Sequence, residues 1–173
     1  PDKDIPGAEG KNPPPTQNPV DPDKIKPGEN INIPKPETTP KPVDGELIDR
    51  PAYSLMFPKD WTSKDTTATI TSFFPPDYKD SSDSSIDVVV QVFTKSALEE
   101  AKTMIDAIAP DTKIVELNIA GTKAAQFAFV MGDTPTFQTI VTKGEHMFTI
   151  IYHQGKQDHR SDYAAILRTF EPK

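Results

Sequence analysis

Three positions near the C-terminus, Asp158, His159 and Asp162, carry residue types that bind metal ions. Two carboxylates four apart share one face of a helix, and an imidazole lies beside one of them. The same residues also suit a helix start, where acids favour the positive end of the dipole and a histidine faces solvent. Both readings stand at this stage. His146 and His153 lie seven apart on one expected strand, so they point to opposite faces and do not share an ion. The run DYKDSSDSSID sets Asp77, Asp80, Asp83 and Asp87 among serines, an oxygen-rich composition that can hold calcium. It lacks the D-x-D-x-D-G spacing that aims such ligands at one point, and reads as a solvated loop.

Nucleophilic chemistry finds little support. Serines abound, but G-x-S-x-G and a Gly-rich phosphate cradle are absent from the sequence. Glu99 and Glu100 fall on the outer side of an expected helix, where charge is ordinary. We therefore expect no catalytic residue, no cofactor and no enzymatic activity. Trp61, the sole tryptophan, is expected to close over the core; exposed, it would instead be the candidate interaction anchor.

The elements that must position these residues begin abruptly. Thirteen of the nineteen prolines lie in residues 1–51, whereas all fourteen aromatics lie at or after Tyr53. The low apolar fraction of 35% thus averages two unlike segments. In PPPTQNPVDPDKIKPGENINIPKPETTPKP each proline removes a backbone donor and biases its predecessor toward extended conformations. The scattered isoleucines bury too little area to offset ordering entropy. Residues 1–50 are expected to form a disordered Pro-rich tether, on the order of 150 Å at full extension. PVDP and PETTP satisfy PxxP, a pattern that proline-dense spacers produce by chance.

The net charge of −7 leaves no basic stripe for phosphates, which argues against nucleic acid and anionic membrane surfaces. The absence of cysteine excludes disulfides and thiol chemistry. No apolar run reaches membrane-spanning length. The chain opens on Pro1 rather than Met and is read as a processed or trimmed product; membrane association is expected only through an upstream anchor since removed.

From Tyr53 the pattern is periodic. Tyr53, Leu55 and Phe57 alternate with smaller or exposed positions, and Pro58 ends the strand. Ala68–Phe74 and Ile86–Thr94 read as strands, the second central and covered on both faces. Ser96 and Glu99 form a capping box ahead of a helical stripe of Leu98, Ala101, Met104, Ile105, Ile108 and Ala109. Four strands follow, Lys113–Ile119, Lys123–Val130, Phe137–Thr142 and His146–Tyr152, joined by links short enough for antiparallel hairpins. A helix from about Asp158 to Phe170 closes the chain, with Arg168 in its last turn favouring the dipole. The fold class is α+β, an antiparallel sheet flanked by helices.

Tyr53–Pro58 as Y-x-L-x-F-P, Trp61 just after it, Ile119-Ala120-Gly121 and the closing Ile166-Leu167-Arg168-Thr169-Phe170 together resemble the PsbP family. The resemblance covers residues 51–173 and lies in the order of elements more than in any strict motif. It implies an α/β/α sandwich and a non-enzymatic role. Plant members of that family support the oxygen-evolving side of photosystem II; a eukaryotic relative of the same fold binds the GTPase Ran; many bacterial members look like lipoproteins or secreted domains. The bacterial, surface-tethered type fits the proline-rich segment best, and no residue here matches a photosystem contact. The resulting expectation is an extracytoplasmic protein-interaction or assembly domain, tethered to a bacterial membrane or cell surface, with an unidentified protein partner. The alternative is a small-ligand or metal-ion carrier that uses a cleft between sheet and helix.

Overall fold

The alternation of Tyr53, Leu55 and Phe57 produces a strand with one buried face. In the computed structural model, which describes residues 44–173, strand β2 (Tyr53–Pro58) buries those three side chains and ends at Pro58. It pairs antiparallel with β1 (Gly45–Asp49) on one side and β10 (Glu171–Pro172) on the other. β1 falls inside the span 1–50 assigned to the tether, so the end of that span is a paired strand of the fold. Only Ile48 of β1 is buried and Leu47 is 68% exposed, which left no apolar period to read. The remainder of the tether assignment, residues 1–43, lies outside the described residues.

The larger sheet contains β3 (Thr62–Thr67), β4 (Ile70–Phe74), β5 (Ser85–Val92), β6 (Val115–Ile119), β7 (Thr122–Met131), β8 (Thr134–Lys143) and β9 (His146–His153). Their spatial order is β3-β4-β5-β9-β8-β7-β6, with every neighbouring pair antiparallel. The short links after β6, β7 and β8 act as hairpin turns. Gly121, Gly132 and Gly144 take positive φ there, which is the conformation these turns demand. β3, TSKDTT, is exposed along its whole length. An edge strand of polar residues needs no apolar alternation and resists pairing with other chains.

β5 departs from the expectation of burial on both faces. It is internal, between β4 and β9, but only Ile86 and Val88 are buried; Val92, at the end of that same face, is 77% exposed, and on the other face Val89 is half-buried and Gln91 exposed. Its second face is incompletely covered because the helix on that side, α1 (Ala97–Ile108), packs on β7 and β8.

Helix α1 (Ala97–Ile108) begins at the capping box. The Ser96 Oγ accepts from the Glu99 amide at 3.3 Å, and the Ser96 amide donates to Glu99 Oε2 at 2.9 Å. It buries Ala97, Ala101 and Ile105 against Ala125, Phe127, Phe129, Ile140 and Met147, all on one face of the sheet. This stripe is rotated from the expected one, leaving Ile108 half exposed. Helix α2 (Arg160–Thr169) lies on the opposite face. Tyr163, Ile166 and Leu167 join Ala124, Ala128, Phe137, Phe148 and the buried face of β2 in one core. Thr169 fastens α2 to β2, its hydroxyl accepting from the Met56 amide at 2.9 Å. The fold is α+β: a seven-stranded antiparallel sheet, a three-stranded sheet and two helices.

Candidate functional site

The turn after β2 is closed by the Trp61 amide donating to the Pro58 carbonyl at 3.0 Å. This throws the indole back onto the core, where Trp61 is only 5% exposed. Trp61 thus closes over the core as expected, and it lacks the exposure that the alternative role of interaction anchor required. The indole meets His159 edge to face, with ring centroids 5.2 Å apart and planes at 87°.

His159 sits at the N-cap of α2 with its ring between two carboxylates. Its Nδ1 lies 2.9 Å from Asp162 Oδ2 and its Nε2 3.3 Å from Asp77 Oδ1. Its backbone amide donates to the Tyr152 hydroxyl at 2.7 Å. The Asp162 hydrogen bond raises the imidazole pKa above its usual 6.5; burial opposes this, and the charge of Asp162 and then of Asp77 adds to the rise. The result is a clasp joining the loop before β5, the end of β9 and the start of α2.

Of the three sequence candidates for a metal, the fold brings His159 and Asp162 together and turns Asp158 away. Asp158 accepts from the backbone amide of Arg160 and from its guanidinium, with Nε 2.9 Å from each carboxylate oxygen. Both nitrogens of His159 already face carboxylates. Among the described residues no group of three or more histidines and acids is arranged to hold a metal ion.

The four aspartates of the serine-rich run also diverge. Asp77 faces His159. Asp80 accepts from the Ser82 amide and hydroxyl. Asp83 accepts the amides of Lys79 at 2.7 Å and Asp80 at 3.1 Å, with Lys156 at 3.3 Å. Those two amides hold the Asp83 carboxyl below its ordinary pKa. Asp87 lies on the sheet, 3.5 Å from His153 Nε2. The oxygens close turns and pairs within the fold and do not converge on a point.

Two features escaped sequence reasoning. The first is the part of the α1-side sheet face that α1 leaves open. The helix packs on β7 and β8. Beside it the pleat alternation of β4, β5 and β9 sets half-buried Ile70, Val89 and Ile151 around Asp87 and His153. Burial works against the charge on Asp87, but hydrogen bonds from His153 and Ser72 prevail and lower its pKa. The signal was present in β5, whose odd positions Asp87, Val89 and Gln91 mix polar with apolar. His146, as expected, is on the other face, stacked on Phe148.

The second is a cleft of about 170 Å³ between the end of β6 and α2, lined by Leu117, Asn118, Ile119, Ala120, Leu167 and Arg168. Arg168 is one of its walls, and the Nε of that side chain, closed to solvent, has no hydrogen-bond partner among the described residues. The sequence could offer only its helix-terminal position.

No family model matches the chain, and no curated protein matches it. Solved structures do resemble its fold. The solution structure of cyanobacterial PsbP (CyanoP) from Synechocystis sp. PCC 6803 superposes with a TM-score of 0.55 at 12% identity, over 76% of this chain and 94% of that one. A crystal structure from Bacteroides thetaiotaomicron VPI-5482 superposes with the same TM-score at 16% identity, over 75% of this chain. This chain spans about half the length of that Bacteroides protein (48%). At these identities the likeness is one of fold.

Proposed function

We propose that this protein is a non-catalytic, extracytoplasmic protein-interaction or assembly domain of the PsbP type. In this reading its α1, sheet and α2 layers form the α/β/α sandwich of that family, and the Pro-rich segment holds it as a tether to a bacterial membrane or cell surface. The fold likeness to CyanoP supports the family; the composition of the first fifty residues supports the tether.

One observation carries the interaction role. Beside α1 the large sheet presents half-buried Ile70, Val89 and Ile151 around the Asp87–His153 pair. Partly exposed apolar side chains beside a few hydrogen-bonding groups are the make-up of many protein–protein contact surfaces. Site-specific photocrosslinking in the source cell tests this. A crosslinker at Val89 or Ile151 should trap a discrete partner, and one at Lys102, on the solvent side of α1, should not. Equal labelling from all three positions, or none from Val89 and Ile151, would count against the open face as the interface.

The cleft between β6 and α2 favours a second reading, a carrier of a small ligand. A ligand present at a hundred times its Kd stabilises a fold by roughly 2.7 kcal/mol. A thermal-melt panel of small molecules in which no compound raises Tm would sink it.

A further inference from the structure

We propose that the cleft between β6 and α2 binds the carboxylate of a small, partly apolar molecule, with the Arg168 guanidinium as its anchor. The inference rests on the carrier reading and adds the chemistry of the ligand.

Arg168 has a donor buried in the fold that donates to nothing among the described residues. A buried donor without an acceptor carries its desolvation cost uncompensated, more so when the group is charged. The arginines at the other buried or tied positions are answered: Arg160 by Asp158, and Arg50 by both oxygens of Asp65. Arg168 differs in lining an open cavity and in forming no ion pair among the described residues.

The walls specify the rest of the ligand. Leu117, Ile119, Ala120 and Leu167 present apolar surface, and Asn118 is the second polar residue. The volume of about 170 Å³ is close to that of an engineered apolar cavity that takes up benzene. A body of about six to eight heavy atoms fits such a space. A guanidinium offers paired N–H donors in a plane and matches a carboxylate in a fork. Ala120 takes a positive φ of 48° beside the cleft, so the turn closing β6 is held in a defined shape.

The test is titration of the full 173-residue chain, ¹⁵N-labelled, with benzoate as probe. Benzyl alcohol serves as a neutral match and inorganic phosphate as an anion without an apolar body. Benzoate should shift the Arg168 Nε–H resonance and the amides of residues 117–120 in a saturable manner. R168Q should weaken benzoate at least tenfold. R168K, which keeps the charge and loses the fork, should weaken it by a smaller factor. Benzyl alcohol should bind the wild-type protein at least tenfold less tightly than benzoate, and phosphate should not saturate the site. Benzyl alcohol binding as tightly as benzoate, or benzoate binding R168Q unchanged, would overturn the anion assignment and leave a neutral carrier. Shifts from no probe at all would overturn the carboxylate site and the carrier reading together.

Discussion

The Trp61 indole stands edge-on to the His159 imidazole, centroids 5.2 Å apart, and so joins the turn after the first core strand to the cap of the last helix. Trp61 is buried in the same core as Phe57, Phe73 and Tyr152. Trp61→Ala should cost roughly 3–5 kcal/mol, the range of buried Trp truncations, read by urea denaturation followed by far-UV circular dichroism. Trp61→Phe keeps part of the packing and should cost less. A loss below about 1 kcal/mol for the alanine variant would contradict the buried placement.

Gly155 marks the other fastening of this region. A Cβ there would meet the Asp83 carbonyl carbon and the Ser82 carbonyl oxygen at 2.4 Å, both backbone atoms. The Gly155 amide also donates to Ser84 Oγ at 2.9 Å. Gly155→Ala must therefore push the acidic loop off the chain that leads into α2, at a cost of about 1–3 kcal/mol. Faster amide exchange should be confined to residues 79–84 and 154–158. A variant as stable as wild type, with unchanged exchange, would show that the close approach is not needed.

Elements that bury a periodic stripe were legible in the sequence. β2, the hairpin strands β6 to β9 and both helices follow from alternation, turn residues and the Ser96–Glu99 box. β1 and β3 were not, because one buries a single side chain and the other none; their pairing is carried by backbone hydrogen bonds to neighbours. The site divides in the same way. Trp61 and His159 were each singled out by residue type, but their union depends on how α2 docks. Asp77, 82 positions before His159, read only as one acid in a loop. Arg168 read as a helix-terminal cation, since an orphaned donor is a property of packing and leaves no trace in spacing.

A buried relay ties α2 to the sheet. Gln126 Nε2 donates to Thr139 Oγ1 at 2.9 Å, Thr139 lies 2.7 Å from the Tyr163 hydroxyl, and that hydroxyl donates to the Ile150 carbonyl at 3.1 Å. The single Tyr163 hydroxyl proton is directed at the Ile150 carbonyl, so Thr139 is the donor in its link to Tyr163. Tyr163→Phe leaves the Thr139 hydroxyl proton without an acceptor in the core and should cost about 1–3 kcal/mol. The double variant Tyr163→Phe with Thr139→Val removes both ends and should lose less than the sum of the singles. Strict additivity in a double-mutant cycle would mean the two hydroxyls act independently.

The His159 clasp should make stability depend on pH, in a direction fixed by its pKa. In the fold the imidazole is held above 6.5, first by Asp162. The folded state therefore binds the proton more tightly than the unfolded chain. That contribution is fully present below about pH 6.5, the unfolded value. It is lost as pH rises through the higher folded pKa, with a slope of at most about 1.4 kcal/mol per pH unit for one proton. The lowered carboxylates, Asp83 and Asp87 among them, act in the opposite sense, but at pH values below this window. Urea midpoints measured from about pH 5.5 to 8.5 should fall with rising pH in the wild type, with the sole tryptophan as fluorescent reporter. In His159→Gln, which keeps a polar planar group beside Trp61 but cannot titrate, the curve should flatten. Asp162→Asn should remove most of the slope and Asp77→Asn less, following the order of their effects on the imidazole. A His159→Gln curve parallel to wild type would assign the pH dependence to other groups and leave His159 as packing alone.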